Sequence, residues 1–341
     1  MAEGGRNEGA TLMAALGFTQ PRSPCAATLH RVLRRLDQAQ VEAALGAWAE
    51  EVLASVPGPG TEGTGRAKRE GVSSDGKTLR GSHKQGAPGT HLLSAVSHRL
   101  GLTLAQEAVD DKTNEITAVQ AVQAVLRDLV VEGRVITVDA LLTQRAVAQA
   151  SADGGGASVM VAKDNQPRLR QDSAGLLATP ASVPGVAPLR QAQTEERGHG
   201  RFERRTLTAR ALLPGDCDWP DARHVFRIER RRIRLRTGEV STEVSEGVTN
   251  LAADDTAPRD LLRFLRAHGR IENGVHYVRA VTFDEDRSPV RCGSIPGVLA
   301  AVRAAAIGLL RAQGATTIAA ACRRNAAQPW RALALVGIAR E

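Results

Sequence analysis

The chain has 341 residues, enough for two domains or for one domain with a large insertion, and 42% hydrophobic residues support a packed core. A net charge of +8 favours a polyanionic partner, nucleic acid before an anionic membrane, beside the plain alternative of a solvated basic surface. Aromatic residues, at 3%, exclude base stacking as the main mode of any nucleic-acid contact. The scattered Cys25, Cys217, Cys292 and Cys322 form no C-x-x-C pair, which excludes zinc ribbons and thioredoxin-type sites and fits a reduced cytoplasm. The opening MAEGGRNEGA has no apolar signal core.

Residues 1–27 read as irregular. Thr28–Leu36 predicts a short basic helix, and Asp37 an N-cap for the helix that follows. Residues 57–71 are a Pro/Gly/Thr linker. Its GPGTEG matches a nucleotide-loop pattern by letter, but no strand precedes it and no helix follows, so it reads as spacer. VSSDGKTLRGS, HLLSAVSHR and LTLAQEAV predict three strands in a meander, with Asp75 beside the turn-forming Gly76. Asn114–Leu129 is a predicted helix. Val135, Ile136 and Val138 suit a buried strand that ends at Asp139, and helix formers run from Ala140 to Ala150. An acid at a strand-to-helix edge stands where α/β sites usually lie; the alternative is that Asp139 only caps the next helix. ASVMVAK adds another strand. Three strands, then helix–strand–helix–strand, is the skeleton of an RNase H-like α/β domain.

Residues 167–258 read as a β-rich insertion with two polar strand-like runs, FERRTLTARALL and HVFRIERRRIRLRTGEVSTEVSEGV. Period-two spacing places Arg230, Arg232, Arg234 and Arg236 on one strand face. Phosphates opposite would relieve their repulsion; a solvated edge face that discourages aggregation is the alternative. A helix over 259–280 is expected to bring His268, Glu272 and Arg279 near one face. Asp284, Glu285 and Asp286 read as a cap or turn before a final helix, Ile295–Gln313. Its apolar run, Val298–Leu310, is broken by Arg303 and reads as too short to span a bilayer.

Asp75, Asp139 and Glu272 are the candidate catalytic acids, from the first strand, a central strand and a late helix. Clustered carboxylates repel unless protonated or neutralised. Mg²⁺ or Mn²⁺ suits such oxygen donors, and two ions stabilise both the attacking and the leaving oxygen in phosphoryl transfer. Spacing alone singles out no triad among 37 acids. His30, His83, His91, His98 and His224 show no metal-ligand spacing and read as surface or loop residues. His276 reads either as reaching the site or as packing. The absence of G-x-S-x-G leaves no nucleophile elbow.

DGKTLRGS, KTNEI, VITVDALLTQ, KDNQPRL, HGRFERR and RAHGRIENGVHYVRAVTFDEDRS, in that order, resemble the DDE transposases of the H-repeat-associated (ISAs-type) family, from about residue 30 onward. The resemblance implies an RNase H-like mixed sheet with helices on both faces. It implies a helical N-terminal region over 1–56, shortened relative to the family, and a catalytic domain over 72–341 with the β-rich insertion. It further implies metal-dependent cleavage at the ends of an insertion sequence and strand transfer into target DNA. Two Mg²⁺ or Mn²⁺ ions are expected on Asp75, Asp139 and Glu272. DNA contacts are expected from Arg279, His268, Lys163, Asn165, Gln166 and the arginine stripe. The expected assembly is a homodimer on double-stranded DNA in the bacterial cytoplasm, with no membrane. A catalytically inactive DNA-binding relic and a hydrolytic nuclease without element specificity are the alternatives. The chain departs from the family at Gly269, where Trp is usual, a loss of packing of ~3 kcal/mol or more, and at Ala280, where Asp is usual.

Overall fold

The computed structural model describes residues 9–20, 22–57, 69–83, 89–109, 115–252 and 256–338; the GPGTEG spacer and the first three residues of KTNEI lie outside them. β1 (Gly71–Thr78), β2 (His91–Ser97) and β3 (Thr103–Val109) form the expected antiparallel meander. β4 (Val135–Val138) pairs with β1 in parallel, and β5 (Ala157–Ala162) with β4 in parallel. The polar region after β5 is not a separate sheet. It forms β6 (Arg190–Gly198), β7 (Arg201–Ala211), β8 (His224–Arg234) and β9 (Val240–Thr249), and β9 pairs antiparallel with β5. One nine-stranded mixed sheet results, in the order β3-β2-β1-β4-β5-β9-β8-β7-β6.

Strand alternation divides the core. Val72, Ile136, Val138 and Met160 point to one face, where α3 (Gln38–Ser55), α4 (Glu115–Asp128) and α5 (Arg145–Asp153) pack through Leu53, Val125 and Val147. Val135, Val159, Leu207 and Phe226 point to the other, under Leu261, Leu262 and Phe264 of a helix that runs from Pro258 to His268. Asp37 caps α3 as expected, its carboxylate accepting from Gln40 N at 3.2 Å. Because α3 supplies buried Ala49 and Leu53, the N-terminal region is built into the core from here on. α1 (Gly9–Ala15) and α2 (Ala26–Leu33) bury nothing.

Helix ends depart from expectation in ways that matter for the site. Ala140–Gln144 is a turn, and α5 begins only at Arg145. α6 (Pro167–Ala178) starts at a proline in its first turn, which suits a missing N–H. α7 is the helix Pro258–His268; it gives way to π-helical winding over Glu272–His276 and Val278–Thr282. α8 (Ile295–Ala312) has 18 residues, longer than the apolar run suggested, and by length and composition alone is apolar enough to cross a membrane. Here it is a core helix that buries Ile295, Val298 and Ile307. α9 (Ile318–Ala327) and α10 (Pro329–Leu335) follow.

Candidate active site

The parallel ladder between β1 and β4 places the two aspartates. Ser73 pairs with Thr137 and Ser74 with Val138, so Asp75 and Asp139 stand one step beyond the last rung, on neighbouring strands about 4.8 Å apart. Alternation puts Ser73, Asp75, Thr137 and Asp139 on the α7 face. The unusually polar start of β1 is thereby explained. Ser73 Oγ and His98 Nε2 share a hydrogen bond of 2.8 Å, His98 Nε2 and Thr137 Oγ1 one of 3.2 Å, and Thr137 Oγ1 and His268 Nδ1 one of 3.0 Å. This chain of four side chains ties β1, β4 and α7 together directly beneath the two acids. Burial lowers the pKa of both imidazoles, His98 to about 3, so they join the network neutral. His98 stands in the turn after β2, half-buried, and turns its ring into this network rather than to solvent, while His224 is buried, bonded to Leu251 O at 2.8 Å.

Each acid has a distinct setting. Asp75 Oδ1 accepts from Gly76 N at 2.8 Å, and Oδ2 lies 3.5 Å from His276 Nδ1. Burial raises the Asp75 pKa to about 6, against the Gly76 bond, and the charges of Asp139 and Glu272 push it further up. Burial, with Arg279, Lys77 and His91, lowers His276 to about 3. The Asp75–His276 contact is accordingly not an ion pair, because both groups are driven toward their neutral forms. Asp139 Oδ1 accepts from Leu142 N at 3.0 Å, so this side chain does cap the turn that follows it, and it also lines the cleft. Glu272 is exposed at the first π-helical turn; such wide turns are rare and occur mostly at functional sites.

Asp139 and Glu272 line one cleft of about 810 Å³ with Lys163, His268, Arg201, Arg205, Arg230, Arg266 and Arg270. Asp75 is outside that lining. Among the described residues, no three His, Cys, Asp or Glu side chains stand close enough together to hold a metal ion. The three acids share a region but do not form a closed ligand group. Their donor chemistry nevertheless fits a hard divalent cation, since all are carboxylates and Asp75 carries the raised pKa of an acid without a countercharge.

The remaining expected residues divide. Arg279, expected on DNA and on one face with Glu272, is fully buried and bonds Glu285 at 3.0 and 3.1 Å. π winding rotates it away from the exposed Glu272, so the helical spacing that joined them does not apply. Glu285 is buried as well and also faces Arg303 at 3.4 Å; it is more than a turn residue. Lys163 is exposed in the cleft. Asn165 donates to Ala140 O at 2.6 Å and Gln166 to Gln144 Oε1 at 2.9 Å, so both brace the turn after Asp139. Of the arginine stripe, Arg230, Arg232 and Arg234 lie on β8, whereas Arg236 is in the turn beyond it. β8 is interior to the sheet, not an edge, and the three pair with Glu203, Glu243 and Glu239. Only Arg230 of the stripe lines the cleft. Gly269 is exposed, and a Cβ there would meet nothing nearer than Arg266 O at 3.8 Å, so the missing Trp leaves no hole in the core. Sequence reading missed Arg201, Glu203 and Arg205, although they stand inside the HGRFERR motif it had singled out.

A mixed sheet with acids at the ends of adjacent parallel strands, beside a basic cleft, defines a class of α/β proteins suited to phosphoryl chemistry. The model of the transposase DDE domain matches residues 56–306, and the chain belongs to this family. It is 27% identical over 295 residues to "Putative transposase YncI" of Escherichia coli O157:H7, covering 83% of this chain and 70% of that protein. It is 34% identical over 231 residues to "Uncharacterized protein in dhlA 3'region" of Xanthobacter autotrophicus, 67% of this chain and 72% of that one. "H repeat-associated putative transposase YhhI" of Escherichia coli K12 is 28% identical over 262 residues, 70% and 63% of the two chains. A piggyBac transposase synaptic complex with hairpin DNA aligns at a TM-score of 0.39 and 11% identity, over 72% of this chain and 47% of that one.

Proposed function

We propose that this chain is an insertion-sequence transposase that cleaves DNA at the ends of its element and joins them to target DNA. One observation carries the reading: the parallel register sets Asp75 and Asp139 side by side, with Glu272 close enough to raise the Asp75 pKa. The order β3-β2-β1-β4-β5, with helices on both faces, supports an RNase H-like domain, which β6–β9 extend. In this reading, residues 1–56 are a helical N-terminal region, 57–71 a linker and 72–341 the catalytic domain. It acts on double-stranded DNA as a homodimer in the cytoplasm.

Asp75, Asp139 and Glu272 would hold two Mg²⁺ or Mn²⁺ ions, which supply neutralising charge and an activated water or 3′-hydroxyl at the scissile phosphate. The chain's own residues do the rest. The Ser73–His98–Thr137–His268 network holds the two strand ends in register with α7. Asn165 and Gln166 brace the turn beyond Asp139. Lys163, Arg201, Arg205, Arg230 and Arg270 line the cleft with positive charge toward a phosphodiester backbone. The test is cleavage and joining of duplexes that carry the element's terminal repeats, with Mg²⁺ or Mn²⁺. Product from the unaltered chain and none from Asp139→Asn is the expected outcome.

The second reading, a DNA-binding relic without catalysis, is favoured by the absence of a closed three-carboxylate group among the described residues. It predicts binding without cleavage, so the same assay separates the two.

A further inference from the structure

The HGRFERR motif has a role that cleavage by the three acids leaves unexplained. On β7, Arg201, Glu203 and Arg205 alternate onto the face that carries Leu207, which is the face of α7 and of the cleft. Glu203 is 4% exposed, and four guanidinium groups converge on it: Arg205 at 2.5 Å, Arg201 at 3.5 Å, Arg232 at 3.9 Å, and Arg230, which donates to it through Nε. Arg201, Arg205 and Arg230 line the cleft beside Asp139 and Glu272. Glu203 balances one of these cations and Glu243, which also lines the cleft and faces Arg230 at 4.0 Å and Arg232 at 3.4 Å, balances a second. The surplus charge is held in fixed forks suited to phosphate oxygens. A second glutamate on this wall is placed differently. Glu196 is 49% exposed and pairs with Arg205 at 3.1 Å and with Arg266.

We propose that Glu203 is a positioning residue that fixes Arg201, Arg205 and Arg230 as a clamp on the phosphodiester backbone of DNA, and that Glu196 occupies part of this clamp until a phosphate displaces it. The inference rests on the DNA-processing reading above.

The test is fluorescence anisotropy of the full chain with a labelled duplex of arbitrary sequence, without divalent ions, over a range of salt. Simple charge removal predicts that Glu203→Gln and Glu196→Gln both tighten binding to a polyanion. The clamp predicts opposite signs. Glu196→Gln binds several-fold tighter, while Glu203→Gln binds roughly tenfold weaker and loses about one to two phosphate contacts from the slope of log Kd against log salt. A merely structural Glu203 would lower Tm and leave that slope unchanged. If Glu203→Gln does not fold, Arg201→Gln replaces it, and it should reduce the slope by about 0.9. A Glu203→Gln chain that binds as tightly as the unaltered one, or an Arg201→Gln chain with an unchanged slope, overturns the clamp and leaves the transposase reading standing. An unaltered chain with no affinity for duplex DNA overturns both.

Discussion

The two ends of the sheet treat charge in opposite ways. On β7, β8 and β9, three glutamates meet arginines of their own strand, a neighbouring strand or α6: Glu203 with four, Glu243 with Arg230 and Arg232, and Glu246 with Arg170 and Arg227. At the ends of β1 and β4 the acids form no ion pair with Lys or Arg among the described residues. Asp75 faces a neutral imidazole and its pKa rises, and Asp139 accepts only a backbone N–H. A half-buried acid without a cation is costly; Glu42 on α3, also raised to about 6 by burial, accepts from Gln38 and Gln106, whereas Asp75 accepts from Gly76 N. Uncompensated charge, rather than the number of charges, separates the acids of β1 and β4 from the arginine wall of β7 and β8.

The contrast can be broken at its most sensitive point first. Asp139→Asn removes a cleft carboxylate and keeps its shape, so strand cleavage should fall roughly a thousandfold, about 4 kcal/mol of barrier, with thermal stability little changed; a gel assay beside a melting curve reads both. Next in size is Arg279→Met. This side chain belongs to a buried pair, and its loss leaves Glu285 with Arg303 alone, so urea unfolding should show a loss of about 3 kcal/mol. DNA affinity should hold in conditions where the variant stays folded.

The pH dependence of Asp75 gives a smaller effect with a definite sign. Its folded pKa, about 6, lies above the ordinary carboxyl value of 3.8, so ionisation costs stability as pH rises through that window. Asp75→Asn should therefore match the unaltered chain at low pH and exceed it by about 3 kcal/mol well above pH 6. Equal stability gains at both ends of the range would remove desolvation as the cause. Adding Mg²⁺ to the unaltered chain above pH 6 should raise Tm, and the rise should shrink in Asp75→Asn. The smallest effect belongs to the other end of the sheet. Arg234 and Glu239 are 70% and 58% exposed, so Arg234→Ala should change stability by less than about 0.5 kcal/mol.

Much of this molecule was legible in the chain itself. Strand-like runs bounded by turn residues marked β1 to β3, short apolar runs marked β4 and β5, Asp37 marked the start of α3, and the ordered motifs singled out the three acids and the family. Local pattern carries such features because alternation, caps and turn residues act over a few positions. Tertiary structure decided the rest. Polar strands in the insertion joined the main sheet because β5 offered a free edge to β9. Arg279 and Glu272 parted company because π winding replaced a regular helix, which no spacing rule anticipates. Arg227, Arg230 and Arg232 of β8 found their glutamates on β7 and β9, strands brought alongside by register and not by sequence distance. Which charges are paired and which are left bare depends on neighbours that only the folded chain supplies, and in this protein that difference separates the arginine wall from the acids.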